Sequence, residues 1–144
     1  MKRIFSASGL LLGLGVLLLH GVPLPTPKGL TAPEGEFSAS RAHELLAELA
    51  SEPRPTGSER SLAVVELIVE RARALGYEPR VVEHVWPGPF WPDAPAERPP
   101  LRNVVVRVPG TRGEGPAILF MAHHDSRPRT PGASDDGAAV ASFL

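Results

Sequence analysis

The sequence contains no cysteine among its 144 residues. Disulfide bonds, thiolate zinc sites and lipid attachment to cysteine are therefore excluded, and any metal ion must be held by histidine and carboxylate side chains. The chain also lacks an excess of charge of either sign, with 15 Lys and Arg against 16 Asp and Glu. Because there is no basic field to attract a polyanion, nucleic acid is not an expected partner.

No apolar run reaches the roughly 20 residues that cross a bilayer comfortably. The longest, Ile4–Leu19, has sixteen apolar or small residues and follows the positive charges of Lys2 and Arg3. Residues 1–24 therefore predict an uncleaved signal anchor, with a cleaved signal peptide as the alternative. Positive charge before this segment places the rest of the chain on the extracytoplasmic side, either membrane-anchored or secreted after cleavage.

Residues 25–36 are rich in Pro and Gly and predict a tether, and residues 37–144 predict the first part of a folded domain. Ser38 or Ser40 begins a first helix, and Ser58 begins a second that reaches Leu75. The apolar residues at helical spacing are Ala42, Leu45, Leu46 and Leu49 in the first helix and Val65, Ile68, Ala72 and Leu75 in the second.

Three strands are expected, at Arg80–Val85, Leu101–Val108 and Ala117–Ala122, and a further helix begins after Gly137. The third strand is apolar on both faces, as in a central strand covered by helices on each side. We therefore predict an α/β fold, an incomplete three-layer sandwich with a mixed sheet flanked by helices, preceded by the N-terminal hydrophobic segment.

A proline-rich excursion at residues 86–100 separates the first two predicted strands and contains Trp86, Phe90 and Trp91. It is either a surface loop pinned by its own aromatic residues, which is the simpler interpretation, or a lid over a pocket.

The residues that carry chemistry follow the third predicted strand. His123 and Asp125 stand two positions apart, so in an extended segment they lie on the same side. A carboxylate there can accept the second ring N–H of a metal-bound histidine. Asp135 lies twelve residues after His123, beside Asp136 and between Gly132 and Gly137. Ser and Asp before a helix are also ordinary caps, so one of the pair has that alternative role.

These motifs, His123-x-Asp125-Ser126 and Gly132-Ala133-Ser134-Asp135-Asp136-Gly137, resemble the start of an M28-type zinc peptidase domain. The upstream segments FSASRAHELLAELA, Arg54–Ser58 and ALGYEP are similar to the membrane-attached branch of that family. The resemblance covers Phe37–Leu144.

The resemblance implies two zinc ions in a complete site, with His123 as a ligand of one and Asp135 as the carboxylate that bridges both. It implies that Asp125 orients the histidine in catalysis and that Asp136 shapes the loop without being a ligand. The implied reaction is hydrolysis of a peptide bond by water activated between the two metals, with a Glu as general base.

Such a site also needs a Glu-Glu pair, a further Asp and a distal His, which we expect after Leu144. Upstream, Glu48, Glu59 and Glu66 are more simply explained as solvated helix faces. Two ligands are too few for a zinc site. We therefore expect the 144-residue chain to be an inactive portion of a larger peptidase, and residues 37–144 to be unstable or prone to aggregation alone.

Three functions are compatible with the sequence. The first is a zinc exopeptidase, specifically an aminopeptidase, acting on peptides. The second is a related amidohydrolase or glutaminyl cyclase on the same fold. The third is a non-catalytic peptidase-like ectodomain. The Asp135-Asp136-Gly137 run and the presence of both His123 and Asp135 favour the first.

Overall fold

A computed structural model describes residues 7–20, 25–85, 100–113 and 115–144. Its elements are four helices, two strands and one π-helical turn: α1 (Ala7–His20), α2 (Ala39–Leu49), α3 (Glu59–Ala74), β1 (Arg80–His84), β2 (Leu101–Val105), the π turn Ala133–Gly137 and α4 (Ala138–Phe143). Lys2, Arg3 and residues 86–99 of the proline-rich excursion, with its three aromatic residues, lie outside the described residues.

Helix α1 spans 14 residues and consists almost entirely of apolar and small side chains. Its described leucine and valine side chains are exposed, namely Leu11, Leu12, Leu14 and Val16. In the part of the chain that the structure describes, no helix combines the length and the hydropathy that a membrane crossing requires.

Helix α2 begins at the first of the two serines proposed as its cap. The Ser38 hydroxyl oxygen accepts a hydrogen bond from the backbone N–H of Arg41 at 3.2 Å. The same hydroxyl donates to the carbonyl of Gly29 at 2.8 Å. Because Ser38 has extended backbone angles and satisfies a free N–H of the first turn, it is the N-cap, and Ser40 lies within the helix.

The segment before α2 has no helix or strand, and part of it is held against that helix. The Arg41 guanidinium donates to the carbonyl oxygens of Ala32 and Glu36, each at 2.7 Å. One half-buried arginine thereby fixes the path of the chain into the folded region.

Helix α3 follows the sequence prediction closely. The Ser58 hydroxyl accepts from the N–H of Ser61 at 3.1 Å, and the helix ends at Ala74. Gly76 adopts a φ of 84°, a left-handed conformation that suits glycine after a helix. Leu75 was wrongly placed on the buried face: it is the C-cap and is 53% exposed, because its backbone has already left the helical path.

The buried core lies between α2, α3 and α4. Its fully buried members are Leu49, Val64, Ile68, Val140 and Ala141. Leu45 and Leu46 of α2 and Val104 of β2 pack against it while remaining partly exposed. The helix predicted after Gly137 is confirmed and is α4. Because α4 packs against α2, it anchors the end of the polar loop that precedes it.

Strands β1 and β2 form a two-stranded antiparallel sheet, in which Val82 pairs with Asn103. Glu83 faces Arg102 directly, and the Arg102 Nε–H donates to the Glu83 carboxylate at 2.6 Å. Both strands are shorter than predicted, ending at His84 and Val105.

The predicted third strand, Ala117–Ala122, is not a strand in the structure. The side chains of Ile118, Leu119, Phe120 and Met121 are 71–83% exposed, so the expectation of a central strand covered on both faces is wrong for the described residues. A strand exists only through hydrogen bonds to a neighbour, and within the described ranges the ladder joins β1 and β2 alone. The apolar pattern of a segment predicts which side chains it can bury. Whether it forms a strand depends on a second segment to which its backbone can hydrogen-bond.

Candidate metal centre

The two proposed metal ligands are in direct contact. The Nε2 atom of His123 lies 2.9 Å from Oδ1 of Asp135. On the other side of the ring, Nδ1 lies 3.1 Å from the backbone carbonyl oxygen of Asp125 and 3.3 Å from its carboxylate Oδ1. The sequence placed these three residues in one site, and the structure brings them together although His123 follows no strand.

Both ring nitrogens of His123 face hydrogen-bond acceptors, and this arrangement favours the protonated ring. A neutral imidazole carries one N–H and can donate on one side only. Burial of the ring opposes the charged form, but the hydrogen bonds to Asp135 and Asp125 and the charges of both carboxylates outweigh it. The pKa of His123 is therefore raised above its ordinary value. A cation at Nε2 would replace that proton and leave Nδ1–H donating to Asp125.

Asp125 is itself held in place by a residue from the loop before α3. The Thr56 hydroxyl donates a hydrogen bond to Oδ2 of Asp125. Oδ1 remains directed at His123, so the carboxylate links two segments that are 69 residues apart in sequence. The orientation of the His123 ring therefore depends on the Arg54–Ser58 segment as well as on its own loop.

Two glycines shape the loop that carries Asp135, here named the site loop (residues 123–137). Gly132 has a φ of 60°, and a Cβ atom there would lie 2.7 Å from the carbonyl oxygen of Asp135 and 2.8 Å from Cβ of Ser126. The backbone N–H of Gly137 donates to the carbonyl of Gly132 at 3.1 Å. These contacts close the π turn, whose Asp135–Asp136 peptide bond is cis. Only glycine fits the Gly132 position without displacing backbone.

Arg54 lies at the centre of the site loop and is 1% exposed. Its guanidinium donates to three backbone carbonyls of that loop, those of His124, Pro131 and Gly132. The backbone of Arg54 also pairs with Ser126, whose hydroxyl accepts from the Arg54 N–H at 2.9 Å. Burial lowers the pKa of Arg54 and the nearby carboxylate of Asp125 acts against that. An arginine keeps its charge in proteins, so this is a buried cation satisfied by carbonyl oxygens.

Arg54 has no role that could be assigned from the sequence. Its neighbours Pro53 and Pro55 predict a loop correctly, and a charged residue in a loop is ordinarily solvated. No local signal distinguishes Arg54 from an exposed arginine, because its partners lie 70 to 78 residues further along the chain.

His124 lies apart from the His123–Asp135 pair. Its Nε2 atom is 2.9 Å from the carbonyl oxygen of Arg102, so an Nε2–H donates to β2. Nδ1 is buried and has no hydrogen-bond partner among the described residues. The contact ties the start of the site loop to the sheet.

The donor chemistry of the pair suits zinc, but the ligand number is incomplete. An imidazole nitrogen and a carboxylate oxygen are both zinc ligands, and three or four protein ligands are usual. The described residues contain no group of three or more metal-ligating side chains. The side chain of His123 is 51% exposed and that of Asp135 is 92% exposed, so the pair opens to the surface. Glu48, Glu59 and Glu66 are exposed on α2 and α3, as predicted.

Comparison with known proteins identifies the part of the chain that contains this pair. Residues 103–144 match the model of peptidase family M28. Residues 103–144 are named the M28 segment below, after this match. The M28 segment includes the last three residues of β2, the whole site loop and α4, whereas Arg54 and Thr56 lie before it.

The chain also resembles curated proteins named "Vacuolar membrane protease". The relative from Candida albicans is 52% identical over 42 residues, which are 29% of this chain and 5% of that protein. The relative from Schizophyllum commune is 28% identical over 138 residues, covering 91% of this chain and 14% of that protein. The chain thus spans a small fraction of the relatives it matches. No solved structure matches it significantly.

Proposed function

We propose that this chain supplies part of the catalytic site of a zinc-dependent exopeptidase, specifically an aminopeptidase. The observation that carries the proposal is the 2.9 Å contact between His123 and Asp135, located inside the segment that matches family M28. The names of the relatives, which describe proteases, support peptide bonds as the substrate.

In the proposed site, Nε2 of His123 and the carboxylate of Asp135 would hold the zinc. The Asp135 side chain is 92% exposed, so its carboxylate is accessible to a metal ion. Asp125 accepts the Nδ1–H of His123 and so fixes the ring tautomer that presents Nε2. Bound zinc would supply Lewis-acid polarisation of the scissile carbonyl and lower the pKa of the attacking water. Because the described residues provide two ligands, the proposal requires the others, and the general base, to lie outside them.

We further propose that residues 1–24 attach the protein to a membrane with the peptidase domain on the extracytoplasmic side. The support is the apolar composition of α1 behind Lys2 and Arg3, and the names of the relatives, which mention a membrane. If the leader is cleaved, the same domain is secreted.

The test uses the intact protein, meaning Met1–Leu144 with any further residues that its gene encodes. Metal content is measured by elemental analysis, and hydrolysis is compared on an amino-acid arylamide and on its N-acylated counterpart. We expect about two zinc ions per chain, cleavage of the free-amine substrate, loss of activity with a chelator and its recovery with zinc.

Each alternative function gives a different result in that test. A related amidohydrolase or a cyclase would bind metal but prefer the N-acylated substrate or leave both uncleaved. A non-catalytic ectodomain would bind no metal at this position. Zinc binding that is unchanged when both His123 and Asp135 are replaced by alanine would show that the site is elsewhere.

A further inference from the structure

The buried guanidinium of Arg54 is arranged to control the geometry of the site loop. Its three nitrogens reach carbonyl oxygens at both ends of the loop: His124 adjoins the histidine of the metal pair, and Pro131 and Gly132 precede Asp135. A single rigid planar group therefore spans the two stretches of backbone that carry the pair. No other described side chain donates to both stretches.

Each of the three carbonyl oxygens in this cluster receives a hydrogen bond from the Arg54 guanidinium. Backbone carbonyls in a closed loop need donors, and a guanidinium offers five N–H groups in a fixed fork. The backbone of Arg54 adds two more bonds to Ser126, through the Ser126 hydroxyl at 2.9 Å and the Ser126 N–H at 3.1 Å. Lysine would keep the charge but has no planar fork to reach three carbonyls at once.

The space around the guanidinium is closed as well. A Cβ atom at Gly137 would lie 3.0 Å from the Nη2 atom of Arg54 and 2.9 Å from the carbonyl oxygen of Gly132. The loop is thus folded around the arginine with no room for an added methyl group, and the glycine that ends the π turn is part of the same packing.

We propose that Arg54 is a positioning residue for the metal centre: it sets the distance between His123 and Asp135 and thereby the affinity for zinc. This inference rests on the proposed function of that pair. It goes beyond it by assigning a determinant of metal binding to a residue that contacts neither ligand side chain and lies outside the segment that matches family M28. Metal sites depend on the groups that orient their ligands, and loss of such a group typically weakens affinity about 10–100-fold.

The experiment compares Arg54→Lys with Arg41→Lys in the intact protein. Arg41 is a matched control, because it also donates to backbone carbonyls but binds those of Ala32 and Glu36, in the segment before α2. Zinc affinity is measured by titration against a chromophoric chelator, and the absorption spectrum of the cobalt-substituted protein reports ligand geometry. Circular dichroism and the melting temperature monitor the fold.

We expect Arg54→Lys to weaken zinc binding by about 10-fold or more and to change the cobalt spectrum while the protein stays folded. Arg41→Lys should leave both unchanged. A folded Arg54→Lys protein with wild-type zinc affinity overturns the inference while leaving the proposed zinc site intact. A wild-type protein that binds no zinc instead refutes the proposed function, and the inference fails with it.

A second variant keeps the inference testable if Arg54→Lys does not fold. Ser126→Ala removes the acceptor for the Arg54 backbone N–H and retains the guanidinium. We expect a few-fold loss of zinc affinity in the folded protein. Unchanged affinity in this variant would count against control of the metal pair by the Arg54 segment.

Discussion

The Nε2 atom of His123 and the Oδ1 atom of Asp135 lie 2.9 Å apart across a loop closed by glycine at both ends of its last turn. As a hydrogen bond, this contact requires a proton on Nε2, because the ionised carboxylate can only accept. Zinc and that proton therefore compete for the same two atoms, so the affinity for zinc depends on pH.

The first prediction concerns the pair itself. His123→Ala and Asp135→Ala should each abolish zinc binding at this site, because each removes one of the two ligands that the described residues supply. Activity should fall by several orders of magnitude in both variants, since the metal supplies the main electrostatic stabilisation. Elemental analysis and arylamide hydrolysis of the intact protein measure the two effects. His43→Ala, on the exposed part of α2, is the control and should retain both.

The second prediction concerns pH in the metal-free protein. The pKa of His123 should lie above the ordinary histidine value, so the ring stays protonated to a higher pH than an exposed histidine. Asp135→Asn should lower that pKa, because a charged acceptor becomes neutral. Titration of the histidine ring signals by NMR measures both. Zinc affinity should consequently fall as the pH drops through the His123 pKa, because the proton occupies the metal-binding nitrogen. A His123 pKa at the ordinary histidine value in the wild-type protein would contradict the contact between His123 and Asp135.

The third prediction separates two reasons why a position requires glycine, a positive φ and a lack of space for a Cβ atom, by comparing three glycines. Gly132→Ala combines a positive φ with a clash against backbone, and we expect it to destabilise the fold by about 2–4 kcal/mol. Gly113→Ala has a φ of 72° but open space, so it should cost only about 1 kcal/mol. Gly110→Ala has neither feature and should be nearly neutral. Urea unfolding measures all three, and equal effects at Gly132 and Gly113 would refute the close packing of the site loop.

The fourth prediction tests which serine begins α2. Ser38→Ala removes the acceptor for the Arg41 N–H and should cost about 1 kcal/mol of stability. Ser40→Ala lies inside the helix, where alanine is the better helix former, and should be neutral or slightly stabilising. Thermal unfolding distinguishes the two, and the opposite order would place the cap at Ser40.

The fifth prediction concerns the apolar segment before the site loop. Ile118, Leu119 and Met121 are 78–83% exposed, and such a continuous apolar surface promotes association. Residues 37–144 produced alone should therefore self-associate, and Leu119→Lys with Met121→Lys should reduce this. Sedimentation velocity is the measurement. A wild-type preparation that is monomeric and unfolds cooperatively would contradict the prediction.

Local structure was largely predictable because its causes are local. Ser58 and Gly76 define the ends of α3 through hydrogen bonding and backbone conformation within a few residues. Val65, Ile68 and Ala72 are buried as their helical spacing predicts. Leu75 is the exception, since its apolar character gives no information on whether the helix has already ended.

The candidate site likewise combines features that the local sequence predicts with features that it does not predict. Spacing placed His123 and Asp125 on one side of an extended segment, and the structure has them in contact. The absence of a strand at Ala117–Ala122 was not predictable in this way. A strand requires a pairing partner, and hydropathy does not specify one. The role of Arg54 was equally inaccessible, since an arginine between two prolines is normally solvated.

The sequence by itself determined the positions of α2, α3 and α4, the Ser58 cap and the residue types available for a metal ion, which without cysteine are imidazole and carboxylate. It also determined the M28 segment that contains His123 and Asp135. Only the tertiary structure decided that Arg54, some 70 residues upstream, lies buried within the site loop and that Thr56 holds Asp125. The physical reason is that capping and periodicity act over a few residues, whereas a buried charge is satisfied only by partners that folding brings to it.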